Sequence, residues 1–255
     1  MRNHTKLTQI PNVTTGGRSH VSLPRGLTYD FVIMRLTNCI SSDLENFKAT
    51  VGTKNIIEIS DAGRLDDISD YYGRPKVAGY FILWFYRPEM VTEEERAVFS
   101  LGTRDIGSFS LQWDLKSGLT DPEIELFALQ RGPQVMGTVA KIRELPKSFG
   151  TSGEQVINDI QLTGDRIGAI HLHKAEGDIS NISLDMNVGN GPSRIIDMPK
   201  PVLETVQKMH GRVPQSSLYT HIDATLLGKI AEPIPTHGIR ELLVKPTLDT
   251  GGQTT

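Results

Sequence analysis

Asp43–Arg74 reads DLENFKATVGTKNIIEISDAGRLDDISDYYGR, and its order of features decides the fold. Phe47–Ile59 is rich in apolar and β-branched residues, the composition of strands. Arg64–Tyr72 stacks Leu65, Ile68 and Tyr72 on one helical face and stops before Gly73, a residue placed to take the left-handed conformation that ends many helices. The same order returns downstream. Asp43-Leu44-Glu45-Asn46-Phe47 has its echo in Asp178-Ile179-Ser180-Asn181-Ile182, Gly52 in Gly189, Ile56-Ile57 in Ile195-Ile196, and Gly73-Arg74 in Gly211-Arg212. Each match alone is weak, because Gly, Asn and Ile are common, and coincidence between two β-rich halves is the competing explanation. A duplicated unit accounts for the recurrence of the whole order: strand, turn, strand, helix ending in Gly-Arg, long strand.

Outward from this block, Leu27–Leu36, Gly79–Tyr86, Phe109–Leu115 and Ile124–Leu129 read as further strands of the first half. Val156–Leu162, Arg166–Leu172, Ile179–Val188, Leu218–Leu227 and Ile239–Val244 read as strands of the second, at the spacing of sandwiches or barrels rather than βαβ units. Helices are few and short. Pro201–His210 carries Leu203, Val206 and Met209 on one face ahead of Gly211, and Thr92-x-x-Glu95 opens another as a capping box. The expectation is an all-β chain of two sandwiches, residues 1–147 and 148–255, joined near the turn-rich Leu145–Gly153. In Tyr80–Tyr86 both strand parities are apolar, so this strand is expected to be central and covered twice, covered on its outer face by another domain or subunit, or simple core.

Composition narrows the function. Hydrophobic residues at 38% and charged residues at 22% suit a folded chain, and a net charge of -3 without a long single-sign block gives no reason to expect nucleic acid as a partner. One cysteine, Cys39, excludes an internal disulfide and a multi-Cys zinc site and fits assembly in a reducing cytoplasm. Met1–Gly17 lacks the apolar core of a signal peptide, and the longest apolar run, Ala78–Tyr86, is far shorter than a membrane span. The N-x-S/T triplets at Asn3, Asn12 and Asn181 are therefore read as chance or turn sequence.

Candidates for chemistry are thin. His171 and His173 share one face of a predicted strand, so together with Glu176 they approach the metal-ligand set of cupin enzymes. The second cupin block is incomplete: Gly228, Pro233 and His237 are present, but Pro235 stands near the second glycine position and no Asn follows. The plainer reading is a solvated strand end, in which exchanging both histidines for Gln costs less than about 1 kcal/mol. Asp185-Met186-Asn187 with Asn190-Gly191 reads as a hairpin turn, since Ile196 occupies the place of the bidentate Glu of a calcium loop. No nucleophile elbow, Walker loop or dinucleotide fingerprint is present, and Cys39 has no neighbouring His or Lys to activate it. A carbohydrate-binding sandwich would expose Trp platforms, whereas Trp84 and Trp113 both lie in strands that read as core.

Five blocks, in order, resemble a known family: Ile10-Pro11-Asn12-Val13, Leu23-Pro24-Arg25-Gly26-Leu27-Thr28-Tyr29, Arg87-Pro88-Glu89-Met90, Leu101-Gly102-Thr103 and Arg166-Ile167-Gly168-Ala169-Ile170-His171. They are similar to the major coat protein of corticovirus-type phages, tailless icosahedral viruses with a membrane beneath the shell. The resemblance is dense over residues 10–103, reappears at 166–171 and is loose afterwards; the second histidine, His173, departs from it. It implies a double jelly-roll of two eight-stranded sandwiches and a non-enzymatic capsid subunit. Homotrimers would tile the shell as pseudo-hexagonal capsomers, in contact with neighbouring capsomers, vertex and membrane proteins and the inner lipid membrane. It implies no catalytic residue and no cofactor beyond, at most, a structural divalent cation such as calcium. The alternative is the bicupin-like metalloenzyme using His171, His173 and Glu176. Met1–Lys6, with Arg2, His4 and Lys6 and no apolar periodicity, is expected to be a mobile tail. In the family, chain ends tend to face the particle interior, where its basic side chains would meet anionic lipid at about 1 kcal/mol each.

Overall fold

In a computed structural model, residues 3–10, 15–173, 178–189, 191–249 and 252–254 are described. The chain divides into two compact units, Met1–Glu144 and Leu145–Thr255. The division falls three residues before the expected one, because a strand of the second unit already begins at Lys147.

The first unit runs β1 (Asn3–Ile10), β2 (Arg18–Ser22), β3 (Thr28–Thr37), β4 (Leu44–Val51), β5 (Lys54–Asp61), α1 (Gly63–Tyr71), β6 (Tyr80–Trp84), α2 (Glu93–Val98), β7 (Phe109–Leu115) and β8 (Glu123–Arg131). One sheet has the order β1-β8-β3-β6 and the other β2-β7-β4-β5, all antiparallel. First pairs with last, second with seventh, third with sixth and fourth with fifth. That is a long hairpin rolled over on itself, the jelly-roll. Two-residue strands are added to it: Leu101–Gly102 on β3, and Ile142–Arg143 laid parallel along the outer edge of β5.

The alternating pattern of the strands explains how the sheets close. On β7, Phe109, Leu111, Trp113 and Leu115 all point inward and are buried while the residues between them are half-exposed. Edge-to-face pairs Tyr29–Phe109, at 5.3 Å, and Phe47–Phe81, at 5.4 Å, bridge from one sheet to the other. The aromatic run is an edge strand, not a central one. Phe81 and Leu83 enter the core, while Tyr80, Ile82 and Trp84 face outward and stay partly exposed.

The second unit repeats the plan with β9 (Lys147–Phe149), β10 (Gly153–Glu154), β11 (Ala169–His173), β12 (Ile179–Asn187), β13 (Pro192–Pro199), α3 (Lys200–Met209), β14 (Tyr219–Asp223), β15 (Glu241–Leu248) and β16 (Gly252–Thr254). Its sheet β10-β15-β12-β13 and its ladders β9-β16 and β11-β14 are the pairings of the first unit with eight added to every label. Among the described residues the β16-β11 ladder is not formed, so the second sheet of this unit stands as two ribbons. Arg166–Ile167 and Ile234–Pro235 make one further short ladder.

The repeat extends to backbone detail. Between β4 and β5 the register steps from Ala49–Ile57 to Thr50–Asn55, leaving Ile56 as the extra residue of a bulge. Between β12 and β13 it steps from Leu184–Ile196 to Asp185–Arg194, leaving Ile195 in the same place. Both helices then close with a Schellman motif: Gly73, at φ +64°, donates to the Asp70 carbonyl at 2.9 Å while Arg74 donates to Ser69 at 3.0 Å. Gly211, at φ +75°, donates to Lys208 at 3.0 Å and Arg212 to Gln207 at 3.0 Å. The echoes Ile56-Ile57 with Ile195-Ile196 and Gly73-Arg74 with Gly211-Arg212 thus mark two devices that need particular backbone geometry.

Three expectations change. Val156–Leu162 is not a strand; Ile157 alone bridges to Val244. Leu218–Leu227 shortens to Tyr219–Asp223. Residues 3–6 are not a free tail, because the jelly-roll needs them as its first strand: Asn3 sits opposite Gln130, Lys6 opposite Phe127, and Lys6 Nζ reaches Glu125 at 2.6 Å. Deleting Met1–Lys6 strips about half of this ladder and bares the edge of β8. The expected cost is roughly 1–3 kcal/mol, seen as a lower melting temperature; unchanged melting refutes the pairing.

Candidate functional site

The histidines come first, since the enzymatic alternative rests on them. His171 and His173 lie on β11 as expected, but neither is a solvated strand end. Both are half-buried against β14, His173 against the Tyr219 ring at 4.9 Å and His171 against His221. Nδ1 of His171 lies 2.7 Å from Nδ1 of His221, and Nε2 of His221 lies 2.9 Å from Oε1 of Gln215. An amide oxygen only accepts, so His221 carries its proton on Nε2 and accepts at Nδ1 from His171. Burial first, then the charges of His171 and Lys200, push the His221 imidazole down to about 2. Glu176 lies outside the described residues, and His237 is exposed on a loop. Among the described residues, no group of three or more His, Cys, Asp or Glu is placed to hold a metal ion.

The other sequence candidates are likewise committed to structure. Asp185 accepts from Arg194 at 2.9 Å and from Lys245 at 2.6 Å, which holds its carboxyl below the ordinary range. Cys39 is buried, and burial followed by the charge of Asp43 pushes its thiol up to about 11. It stays protonated at neutral pH.

Sequence reasoning missed a set of buried ion pairs that fix the loops at the strand ends. Arg74 bonds Glu89 through Nε at 3.1 Å and Nη2 at 2.5 Å, with both side chains nearly inaccessible and Arg87 3.5 Å from the same carboxylate. In the second unit Arg212 Nε bonds Asp223 at 2.8 Å and its Nη2 the Thr225 carbonyl at 2.6 Å, while Thr225 donates back to Asp223 through its amide and hydroxyl. Each arginine directly follows the helix-ending glycine, so the Gly-Arg dipeptide was the available signal. Asp30 adds a third node: its side chain accepts from Ser100 at 2.8 Å and from Arg131, and its carbonyl takes the amides of Phe85 and Tyr86.

Around these nodes the loops interlock. Thr103 accepts from the Gly26 amide at 2.9 Å and donates to the Leu27 carbonyl at 2.5 Å, Tyr29 donates to the Pro24 carbonyl at 2.6 Å, and Arg25 to Ile106 at 2.9 Å. Gly102 lies under the 134–135 loop so closely that a Cβ would collide with the Val135 carbonyl oxygen and stand 2.7 Å from that of Gln134. Arg96 Nε holds the Met90 carbonyl at 2.7 Å, and α2 begins on the capping box of Thr92 and Glu95. The blocks at 23–29 and 101–103 are thus bonded to each other, and the block at 87–90 is fastened separately to Arg74 and Arg96. None of these bonds places a nucleophile against a base.

Comparison with known proteins accords with this. Residues 4–135 match the profile of the viral coat protein P2 N-terminal domain, and residues 139–255 that of its C-terminal domain. The chain belongs to the viral coat protein P2 family. It is 23% identical over 239 residues to the major capsid protein P2 of Pseudoalteromonas phage PM2, covering 92% of this chain and 87% of the relative. The crystal structure of the PM2 protein superimposes with a TM-score of 0.92 at 21% identity, covering 100% of this chain and 94% of that one. The structure titled STIV MCP gives 0.74 at 12% identity, over 100% and 94%, and the PBCV-1 virus capsid 0.59 at 11%, over 98% and 84%. This coat protein is a double jelly-roll and serves as a capsid protein. The metalloenzyme alternative finds no support in the family or in the arrangement of His171 and His173.

Proposed function

We propose that this coat protein acts as a homotrimer whose six sandwiches form a pseudo-hexagonal capsomer of an icosahedral shell over an internal lipid membrane. The observation that carries this reading is the depth of the internal repeat. Two jelly-rolls with the same pairing order, the same bulge and the same helix end present near-equivalent edges, so three chains offer six of them and one gene product can fill a hexagonal position. Lateral contacts to neighbouring capsomers follow from the same edges, and vertex proteins, viral membrane proteins and the inner membrane complete the partners. The role is mechanical rather than catalytic, it needs no cofactor, and the subunit is made and assembled in the host cytoplasm before residing in the virion. Residues 3–6 would meet lipid through side chains projecting from β1, where Lys6 is engaged by Glu125, and Arg2 lies outside the described residues.

The experiment is the mass in solution. A capsomer should sediment at about 85 kDa, three times the 28.2 kDa chain, through an obligate interface of more than roughly 2,000 Å² in total. It should persist on dilution to nanomolar concentration; folded monomer at that concentration refutes the trimer.

A further inference from the structure

The ribbon β3-β6 of the first unit and the ribbon β11-β14 of the second are counterparts, and each is a ladder of five residue pairs. At one end the two ladders agree in kind, with Arg35 opposite Tyr80 and His173 opposite Tyr219. In the middle they do not. The first unit has Ile33 opposite Ile82, a pair that no proton can change, and the second has His171 opposite His221. His221 is 2% exposed, and the neutral ring already uses both of its nitrogens: Nδ1 accepts from His171 and Nε2 donates to Gln215.

The charged and titratable groups around this ring come from β11, β14, α3 and the segment that joins α3 to β14. β11 brings His171 and His173. β14 brings Tyr219, stacked on the His221 ring at 5.4 Å, and Asp223, which Arg212 holds at 2.8 Å. From α3, Lys200 Nζ lies 2.6 Å from Asp178 and 2.6 Å from the Ser216 carbonyl, Glu204 accepts from Ser216 at 2.7 Å, and Gln207 donates to the His221 carbonyl at 2.6 Å. A further proton on His221 therefore adds a cation to an inaccessible site beside Lys200, while Asp178 and Asp223 are taken by Lys200 and Arg212. Parting the two strands removes that cost by admitting water. We infer that the β11-β14 ribbon is an acid-released latch, which opens at low pH around the His171–His221 pair and loosens the second sandwich there while the β3-β6 ribbon stays closed. The opening is local because, among the described residues, no ladder ties β11 or β14 to any further strand, whereas β3 is also paired with β8.

Amide hydrogen exchange on the unaltered full chain at pH 7.5 and pH 5.0, corrected for the intrinsic exchange rate at each pH, tests the latch. Protection at 169–173 and 219–223 should fall about tenfold or more, since a histidine that titrates near 6.5 when open is kept from its proton when closed. The counterpart residues 31–35 and 80–84, and residues 182–184 of β12, should keep theirs. No fall in the ribbon overturns the inference. An equal fall at 182–184 also overturns it, because the second sandwich then opens as a whole. The double variant His171→Ile with His221→Ile copies the middle pair of the first unit and should remove the pH dependence; a folded variant whose ribbon still loses protection in acid overturns the assignment to this pair. Should it misfold, His221→Gln takes its place with the same two outcomes.

Discussion

Replacing Arg212 with Ala is expected to lower the stability of the second sandwich by about 3–5 kcal/mol, and Arg74→Ala to do the same in the first. The side chain of Asp223 is fully inaccessible and that of Arg212 5% exposed, so removing the cation strands a carboxylate where water cannot reach it. Glu89, at 3%, is in the same position once Arg74 is gone, with Arg87 as a longer partner. Urea denaturation measures the loss, and the double variant Arg212→Met with Asp223→Asn separates charge from packing. It should recover most of the stability, because the neutral amide still accepts from Thr225 and no charge remains buried. A single-variant loss below about 1 kcal/mol refutes the assignment. The pairing also has a pH sign. Burial pushes the Glu89 carboxyl up, but Arg74 and Arg87 outweigh it and the net displacement is downward. Its contribution is therefore present above the ordinary carboxylate range and fades as pH falls.

Acid should weaken the second sandwich earlier than carboxylate titration alone would. His221 is neutral when folded and is pushed down from 6.5 to about 2, so below pH 6.5 the unfolded chain binds a proton that the folded chain refuses. Well below pH 6.5 stability then falls towards the limiting slope of about 1.4 kcal/mol per pH unit, a loss on the order of 2 kcal/mol between pH 6.5 and 4.5. Unfolding free energies across that range measure the slope, and His221→Gln should flatten it. A slope unaltered by this substitution rules His221 out. The same geometry changes the expectation for His171→Gln: it alters the donor to a buried acceptor, and where that bond is lost the cost is about 1–3 kcal/mol rather than that of a surface change.

What the sequence made legible was the middle of each sandwich. Gly73-Arg74 and its echo stand out because a left-handed helix end tolerates few residues besides Gly, and Ile56-Ile57 and Ile195-Ile196 because the same apolar pair marks the bulge in both units. Of the long strands, β7 was legible because one face is packed in the core and its apolar residues alternate, and β3 and β8 because they carry continuous apolar runs, Phe31–Met34 and Leu126–Leu129. β1 and β2 were not, since both are edge strands of polar composition, and β2 is nowhere buried. They hold their places through the ladder, which leaves no trace in hydropathy. Val156–Leu162 misled for the opposite reason: Ile157 is buried and Ile160 and Leu162 pack on the core from a loop. The Arg74–Glu89 and Arg212–Asp223 pairs escaped notice because a charged residue is ordinarily read as surface. The histidines were placed on the right strand with the wrong partners, since His221 lies 50 residues away and only the β11-β14 ladder brings it to His171.

The first strand has a consequence for synthesis. Asn3 pairs with Gln130, 127 residues downstream. At roughly 5–20 residues per second, β1 waits on the order of ten seconds on the ribosome before its partner exists. Until then β3 exposes the edge that β8 will fill, with Val32 and Met34 facing a sandwich that cannot close. Completion is sharp, because once residues 123–131 have emerged every ladder among β1–β8 is available, and the covering strand follows at 142–143 ahead of the strands of the second unit. The nascent chain can thus close one half before the strands of the other are complete, which keeps two sets of strands with the same pairing order from exchanging partners.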